Sequence, residues 1–225
     1  MYKLTLIPAL LITATTLGQT GGYQGSVGAT IGAGIPLGGY ADTMGRGMFT
    51  FGGVLTLPAK RLPFKLGFAF DYGIMGRKTS KVVVMDAVQV PTEGRIALTE
   101  KVLSYHPLLR FSPLKGPVRP YVEGMVGLRH FSTRSNITVD GTGGAVQRSR
   151  HSDDMVLSSG WAAGLMVGLG GTAYLEARVE RMYSGKAEYV DPGSIAIDEQ
   201  GNVAFSTLQS TTGTLNLLLG VGLRF

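Results

Sequence analysis

Large apolar residues alternate with small, polar or charged residues along most of the chain, and this period of two is typical of β-strands. The alternation is clearest in FKLGFAFDYGI, residues 64–74, where every even-numbered position is large and apolar. The odd-numbered positions of this stretch are Lys65, Asp71 and small residues. The pattern predicts eight strands, which cover residues 26–35, 48–57, 64–74, 100–111, 120–131, 159–169, 173–183 and 215–225.

The segment 100–111 shows the weakest alternation, because Pro107 interrupts it. Proline has no N–H to donate to a neighbouring strand, so within a sheet it is tolerated at an edge or a bulge. We therefore expect an edge or a bulge at Pro107.

Alternation alone does not say which face of a strand is inside, because a soluble barrel turns its apolar face inward and a membrane barrel turns it outward. Three features favour the membrane barrel. The first is that the polar faces combine small residues with charges of both signs, which suits a narrow, packed lumen. The predicted lumen charge network consists of Lys65, Asp71, Arg110, Glu123, Arg129, Glu176, Arg178, Glu180 and Arg224.

The second feature is that aromatic residues lie toward the ends of the apolar faces, as interfacial girdles require. These residues are Phe64, Tyr72, Phe111, Trp161, Tyr183 and Phe225. The third feature is that the connections alternate in length, as in outer-membrane barrels. The short connections are residues 58–63, 112–117 and 170–172, and the long ones are residues 75–98, 132–157 and 184–210, with 36–45 intermediate.

Composition narrows the class further. The 225 residues suffice for one all-β domain, and the charged fraction of 16% is low for a soluble domain. The absence of cysteine excludes disulfides, a thiolate nucleophile and a thiolate metal site. The net charge of +6 comes from scattered basic residues without interleaved aromatics, so nucleic acid is not an expected partner.

The N-terminal residues 1–19 have the order of a secretion signal: one positive residue, Lys3, then an apolar run from Leu4 to Leu17, then small and polar residues. The run is too short for a membrane helix, and no later segment reaches the roughly 18 apolar residues that such a helix needs. We therefore expect a signal peptide at 1–19 and a barrel domain at 20–225.

Two stretches, RPYVEGMVGLRHF (119–131) and the terminal LLLGVGLRF (217–225), resemble the small outer-membrane β-barrel family that includes OmpA- and OmpX-type domains. The resemblance implies an all-β fold, an eight-stranded antiparallel up-and-down transmembrane β-barrel with extended extracellular hairpin loops. It places the chain in a bacterial outer membrane of the Gram-negative type, with both termini periplasmic.

The resemblance also gives the last strand a role in assembly. In that family the barrel-assembly machinery reads a terminal aromatic residue with alternating apolar residues before it. The implied assembly signal here is Leu219, Val221, Leu223 and Phe225. Filling of the aromatic girdle is a compatible role for Phe225. We expect this strand to pair with residues 27–35 and close the barrel, with Asn216 and Arg224 in the lumen.

Eight strands enclose a space that side chains can fill, so we expect the lumen charges to hold the barrel together as ion pairs rather than to conduct solute. We expect no catalytic residue, no cofactor and no metal. His151, Asp153 and Asp154 are expected to lie in a solvated loop rather than to bind a cation. One alternative stays open, a wider barrel of ten or twelve strands acting as a passive, porin-like channel.

A second alternative is a lipid A-modifying enzyme. Lipid A deacylases of the PagL type use a His-x-Ser pair near the outer rim, with a carboxylate that orients the histidine. His130 and Ser132 have this spacing, and by alternation both face lipid. Against this reading, the family's pair lies on a later strand, where residues 181–184 hold no histidine, and the nearest following carboxylate, Asp140, lies in a loop.

The long connections carry strand-forming residues on both sides of turn signals, in residues 82–99, 137–147 and 195–205. The strands are therefore predicted to continue as hairpins beyond the membrane, where their edges offer pairing surfaces. The sequence favours an outer-membrane barrel whose β-rich extracellular loops serve surface contact, partner binding or envelope integrity. Its expected partners are outer-membrane lipid, lipopolysaccharide, the assembly machinery and an unknown surface partner.

Overall fold

The computed structural model describes residues 25–44, 47–59, 62–75, 78–85, 91–139, 145–190, 196–197, 203–204 and 206–225. Within them, it describes the backbone alone for residues 43–44, 78–85, 91–98, 133–139, 145–152, 189–190, 196–197 and 203–204. The predicted signal peptide lies outside the described residues. It and the domain boundary after residue 19 stay predictions.

The described residues form thirteen strands and one short helix. The strands are β1 (Ser26–Leu37), β2 (Met48–Pro58), β3 (Phe64–Met75), β4 (Lys78–Met85), β5 (Pro91–Phe111), β6 (Val118–Val139), β7 (Ala145–Gly170), β8 (Ala173–Ser184), β9 (Lys186–Val190), β10 (Ala196–Ile197), β11 (Val203–Ala204), β12 (Thr207–Thr211) and β13 (Gly213–Arg224). The helix α1 (Gly39–Met44) follows β1. Among the described residues, none of the helical structure is long and apolar enough to cross a membrane.

Eight of these strands close into an antiparallel barrel in the order β1-β2-β3-β5-β6-β7-β8-β13, and β13 pairs back with β1. The closing register sets Val27 opposite Leu223 and Ile31 opposite Leu219. The predicted fold class is confirmed, and so is the predicted seam between the first and last strands.

The alternative of ten or twelve membrane strands is wrong. β4 continues β3, because both pair with β5 and the register shifts by one residue between Ile74↔Lys101 and Lys78↔Leu98. In the same way β9 and β12 pair with each other and prolong β8 and β13. These segments lengthen existing barrel strands and do not widen the barrel.

The apolar faces point away from the lumen along every barrel strand. Leu66, Leu157 and Leu219 are 63%, 68% and 67% exposed, whereas Lys65 and Arg178, on the other faces, are each 2% exposed. A water-soluble barrel would show the reverse, because apolar surface is driven out of water. Closed pairing of all barrel strands also leaves no backbone edge unsatisfied in hydrocarbon. The barrel therefore has the inside and outside of a transmembrane β-barrel.

Pro107 lies in the middle of a barrel strand, and the expected edge or bulge is absent. Pro107 is in register with Phe68 of β3. On the β6 side the pairing stops after Tyr105↔Leu128 and resumes at Leu108↔Met125 without a change of register. The missing N–H of proline is thus accommodated by a local gap in pairing between two strands that stay aligned.

The two ends of the barrel differ as the connection lengths predicted. The short turns β2–β3, β5–β6 and β7–β8 share one end, here called the short-turn end, and Gly170 and Gly171 allow the tightest of them with φ of 100° and 56°. At the other end, here called the hairpin end, the strands run on as paired hairpins, and β10 pairs with β11. Residues 86–90, 140–144 and 198–202, which fall within the predicted hairpins, lie outside the described residues.

Candidate functional site

The lumen is the part of the molecule in which charged side chains gather. Because side chains alternate along a strand, the positions opposite the lipid face point inward on every barrel strand. All nine predicted lumen residues are buried, with at most 8% of their surface exposed. They are Lys65, Asp71, Arg110, Glu123, Arg129, Glu176, Arg178, Glu180 and Arg224.

An ion-pair cluster at the centre of the lumen joins β5, β6 and β8. Glu123 accepts from Arg110 through Oε1 and from Arg178 through Oε2, so one carboxylate bridges two guanidinium groups. Arg178 Nη2 also donates to Glu180 Oε2 at 2.8 Å, and Arg110 Nη2 donates to Glu176 Oε1 at 3.2 Å. Each charge in such a buried cluster needs a partner of opposite sign, because burying an unpaired charge in the protein interior costs free energy.

Neutral groups complete the cluster. The Asn216 amide donates to Glu180 Oε1 at 2.8 Å, and the Tyr121 hydroxyl donates to Glu176 Oε1. The Arg110 guanidinium stacks over the Tyr121 ring at 3.9 Å from its centroid. The predicted inward position of Asn216 is borne out, whereas sequence reasoning assigned no role to the Tyr121 hydroxyl.

Four of the nine charged residues stand outside these ion pairs. Arg129 Nη1 donates to Ser184 Oγ and to the carbonyl of Thr212, each at 3.0 Å. Among the described residues, no carboxylate lies within 4 Å of a charged nitrogen of Lys65 or Arg224, and no base lies so close to Asp71. The four residues outside the ion pairs are Lys65 and Asp71 on β3, Arg129 on β6 and Arg224 on β13.

An apolar cap covers the lumen at the hairpin end, and the sequence reasoning missed it. Tyr40 of α1 belongs to this cap, and its hydroxyl lies 3.3 Å from Met75 Sδ. Its ring packs edge-on against the Phe131 ring, with the two ring centroids 6.0 Å apart. The cap consists of Tyr40, Met48, Met75, Val102, Phe131, Val156 and Ala187. The sequence feature that could have predicted the cap is the presence of methionines at inward positions at the ends of β2 and β3.

The sequence reasoning also did not predict that a buried histidine makes a side-chain contact inside the lumen. His106 Nε2 lies 2.7 Å from Ser158 Oγ, and both residues are buried. The pair links β5 to β7 across β6, between the central ion pairs and the apolar cap.

The His130 region differs from the sequence expectation. His130 Nε2 contacts Asp153 Oδ1, a carboxylate that the sequence reasoning did not place near His130. Asp153 is distant in sequence but stands opposite Ser132 in the β6–β7 register. Ser132 is buried rather than facing lipid freely, and its hydroxyl has no hydrogen-bond partner among the described residues.

His151, Asp153 and Asp154 belong to strand β7 and not to a loop, which corrects a second expectation. Asp154 Oδ2 accepts from the backbone N–H of Glu188 at 3.0 Å and so ties β7 to β9. Within the described side chains, no group of three potential metal-ligating residues occurs.

A closed eight-stranded barrel with an apolar exterior and a charged, side-chain-filled lumen defines the class of integral outer-membrane β-barrel proteins. The class follows from two observations made above, the closed strand order and the outward apolar faces.

Solved structures with a similar fold are themselves outer-membrane barrels. Neisserial surface protein A shares 16% sequence identity, with 90% of this chain and 96% of that chain covered and a TM-score of 0.44. A major outer membrane protein from Thermus thermophilus shares 18%, with 90% and 98% covered and a TM-score of 0.49. Ail, the attachment invasion locus protein of Yersinia pestis, in complex with the heparin analogue sucrose octasulfate, shares 14%, with 90% and 97% covered and a TM-score of 0.43. No family model and no curated protein matches the sequence.

Proposed function

We propose that this outer-membrane barrel is a closed anchor that presents its long hairpins for surface contact, partner binding or envelope integrity. The observation that carries the proposal is strand length. β5, β6 and β7 have 21, 22 and 26 residues, whereas a strand crosses a bilayer in about 9–11 residues. Roughly half of each strand therefore stands beyond the membrane as paired sheet.

The contents of the lumen support an anchor rather than a channel. The central ion pairs from Arg110, Glu123 and Arg178 fill the middle of the lumen, and the apolar cap covers its hairpin end. Eight strands leave an interior that side chains can occupy fully. A porin-like role would need a wider ring of strands.

The proposed orientation places the short-turn end in the periplasm and the hairpins outside the cell. Both described chain ends lie at the short-turn end, where the backbone N–H of Phe225 donates to the carbonyl of Gly25 at 3.1 Å. Short periplasmic turns and long outer loops are the usual arrangement of bacterial barrels. In this orientation the hairpins meet lipopolysaccharide and surface partners, and the terminal strand is available to the assembly machinery.

The test removes one hairpin without opening the barrel. Thr133 and Ser152 are opposite one another in the β6–β7 register, so residues 134–151 are replaced by an Asn-Gly turn that joins them. The full chain and the shortened chain are expressed in a strain lacking the protein, and folding is checked by heat-modifiable electrophoretic mobility. Resistance to SDS with EDTA is then compared between the two chains, and photo-crosslinking is measured in the full chain from a probe at residue 138 or at residue 219.

We expect protease added to intact cells to cut the full-length hairpin, and crosslinked adducts to form from residue 138. The shortened chain should fold but lose the resistance. The probe at Leu219, on the membrane face, is the matched control for proximity to lipid alone. The proposal is wrong if the hairpin resists protease on intact cells while being cut in broken membranes. It is also wrong if the shortened chain restores resistance and no adduct is specific to residue 138.

A second candidate function, hydrolysis of a lipid ester, is favoured by the contact between His130 and Asp153 with Ser132 beside them. A carboxylate that orients a histidine next to a serine is the arrangement that activates a hydroxyl nucleophile. The Ser132 hydroxyl does not hydrogen-bond to His130 in this structure, and such contacts often tighten only when substrate binds.

Mass spectrometry of lipid A from cells expressing the chain tests this second candidate. Loss of an acyl chain that is abolished by Ser132→Ala and retained by Ser159→Ala would support it. Ser159 is the control because it is exposed on the neighbouring strand β7. Unchanged lipid A in cells with the full chain rejects the hydrolase.

A further inference from the structure

A groove crosses the lipid-facing side of the barrel over β7, β8 and β13, and is here called the exterior groove. Its volume is about 620 Å³, which is within the usual range of ligand pockets. Two outward alanines stand among larger residues and form the depression. Ala163 lies opposite Val179, and Ala177 lies in register between Leu165 and Leu219. The outward side chains that line the groove include Ala163, Leu165, Ala177, Val179, Leu217 and Leu219.

The exterior groove extends from the middle of the membrane crossing toward the hairpin end. β8 has 12 residues, and a strand crosses a bilayer in about 9–11 residues. Counted from the short-turn end, Ala177 is the fifth residue of β8, and Tyr183 is the eleventh. Tyr183 and Trp161 are exposed on the outward face, and exposed aromatic residues mark the headgroup level of such barrels. The groove therefore lies in the hydrocarbon region beside this headgroup level.

One cation stands at the hairpin end of the exterior groove. Arg181 is the next outward residue of β8 after Val179, about 7 Å further along the strand. In register it lies between Trp161 and Leu215. Arg181 is the one charged residue among the outward positions of β1, β8, β13 and residues 155–169 of β7. A charge that faces lipid is costly, so an arginine in this place extends toward the headgroups.

The Arg181 guanidinium lies toward the hairpin end and has no acidic partner. It lies over the Tyr183 ring, 4.6 Å from the ring centroid. Its Nη1 would lie 3.3 Å from a Cβ at Gly213, so the missing side chain of Gly213 leaves room for the guanidinium beside β13. Among the described side chains, no carboxylate forms an ion pair with Arg181, and Nη1 has no hydrogen-bond partner. The positive charge of Arg181 therefore complements an anion at the headgroup level.

We propose that the exterior groove binds an acyl chain of lipid A, the membrane portion of lipopolysaccharide, while Arg181 binds a phosphate group of the same molecule. An acyl chain suits the groove because both surfaces are apolar, and close contact between them excludes other molecules from the depression. A phosphate group suits Arg181 because its oxygens accept two parallel hydrogen bonds from a forked guanidinium. The choice of lipid A rests on the proposed orientation, which puts the hairpin end in the outer leaflet.

Binding is measured by native mass spectrometry of the full chain in neutral detergent micelles, titrated with diphosphoryl lipid A or, separately, with phosphatidylglycerol. Arg181→Gln removes the charge, Arg181→Lys keeps it, and Ala177→Leu fills the groove. Lys101→Gln is the matched control for charge, because Lys101 is a cation of β5 that also lies over a tyrosine ring, that of Tyr72. Ala29→Leu is the matched control for size, because Ala29 is exposed on β1 in register with Val221, outside the groove lining. Folding of each variant is checked by heat-modifiable electrophoretic mobility.

We expect Arg181→Gln to weaken lipid A binding about tenfold, as the loss of one charge-assisted hydrogen bond does. Arg181→Lys should weaken it less, because the charge remains without the fork. Ala177→Leu should weaken it about fourfold, the equivalent of one methylene group lost from the contact. Both control variants should change it less than about twofold.

Lipid A binding with this pattern, tighter than that of phosphatidylglycerol, supports the proposal. Equal affinity for phosphatidylglycerol, or equal losses in the control variants, overturns it. A dimer of the full chain that Ala177→Leu dissociates also overturns it, because a second copy would then occupy the groove. The titration in micelles does not depend on the hairpins, whereas protease on intact cells tests the orientation, so failure of this proposal is distinguishable from failure of the proposed function.

Discussion

At the scale of single residues, Glu123 is the central residue of the ion-pair cluster in the lumen. Its two oxygens contact Arg110 and Arg178, and through these residues it is connected to Glu176 and Glu180. A buried carboxylate that neutralises two guanidinium groups cannot be removed without leaving both incompletely paired. The effect of its loss should therefore exceed that of any exposed ion pair.

We predict that Glu123→Ala lowers the free energy of unfolding by about 3–5 kcal/mol, the usual result of breaking a buried ion pair by removing one partner. Urea unfolding in lipid vesicles, followed by the fluorescence of Trp161, measures the change. Glu188→Ala is the control, because Glu188 is exposed on β9 and its loss should cost less than about 0.5 kcal/mol. A change below about 1 kcal/mol for Glu123→Ala would contradict a structural role for the lumen charges.

Gly127 is a second residue with a specific role, because it faces the gap in pairing at Pro107. A Cβ at Gly127 would overlap the carbonyl oxygen of Tyr105 and press on the ring of His106. The close approach of β5 and β6 at this point requires that no side chain stand there. Gly124, three residues earlier on β6, has no such constraint, since a Cβ there meets nothing within 4 Å among the described residues.

We predict that Gly127→Ala destabilises the barrel by about 1–3 kcal/mol, the range for overpacking a closely packed interior. Gly124→Ala should be neutral within about 0.5 kcal/mol. The two variants differ by the same methyl group on the same strand, so a comparison of their urea midpoints isolates the local clash. Equal midpoints would mean that β5 and β6 separate easily at Pro107.

At the scale of elements, β13 combines closure of the barrel with a lipid-facing surface. Its odd-numbered positions 217, 219, 221 and 223 are exposed, and it pairs with β1 on one side and β8 on the other. β12, which precedes it, belongs to the hairpin end. In the proposed arrangement this continuous stretch of chain passes from water into lipid, so the same substitution should be tolerated in β12 and destabilising in β13.

We predict that Leu219→Arg, at the middle of β13, destabilises the barrel in lipid by about 2–4 kcal/mol, as a charge at the bilayer midplane does. Leu208→Arg on β12 should change stability by less than about 0.5 kcal/mol, because water replaces lipid there. Both leucines are exposed, at 67% and 38%. Reversible unfolding in vesicles distinguishes them, and equal tolerance of the two would argue against a membrane boundary between them.

The terminal Phe225 allows assembly to be separated from packing. Its ring lies against Gly25, where an added Cβ would overlap it, and its backbone N–H holds the first described residue in place. If the assembly machinery reads this residue, Phe225→Ala should reduce folded protein in the outer membrane of cells several-fold, while refolding of the purified chain in detergent is unchanged. Phe225→Trp, which keeps an aromatic ring, should assemble normally. Parallel losses in cells and in detergent would assign Phe225 to packing alone.

At the scale of the whole molecule, the barrel is sealed by its contents. The central ion pairs and the apolar cap occupy successive levels of one lumen, and eight strands leave no room for a water-filled path beside them. We predict that the purified chain gives no sustained single-channel conductance in planar bilayers. Tyr40→Ala with Met75→Ala, which opens the cap but leaves the ion pairs, should not create a channel either. Steady ion flow through the unaltered protein would overturn the sealed-barrel interpretation.

The sequence by itself determined the strands and their two faces. Residues 64–74 and 173–183 alternate with a period that only an extended backbone can display, and the inward position of Lys65 and Glu176 follows from that period. Strand alternation is a local property, so it can be read without knowledge of the rest of the chain. The order of the barrel strands was also accessible, because neighbours in sequence are neighbours in space when turns are short.

Tertiary structure decided which side chains meet across the barrel. Glu123 takes Arg110 and Arg178 as partners, and Asp153 comes to His130, because the register and the curvature of the closed sheet set those distances. The apolar cap arises in the same way, from strands that are far apart in sequence. Periodicity fixes the face on which a residue lies, but only closure of the barrel fixes its height and its partner.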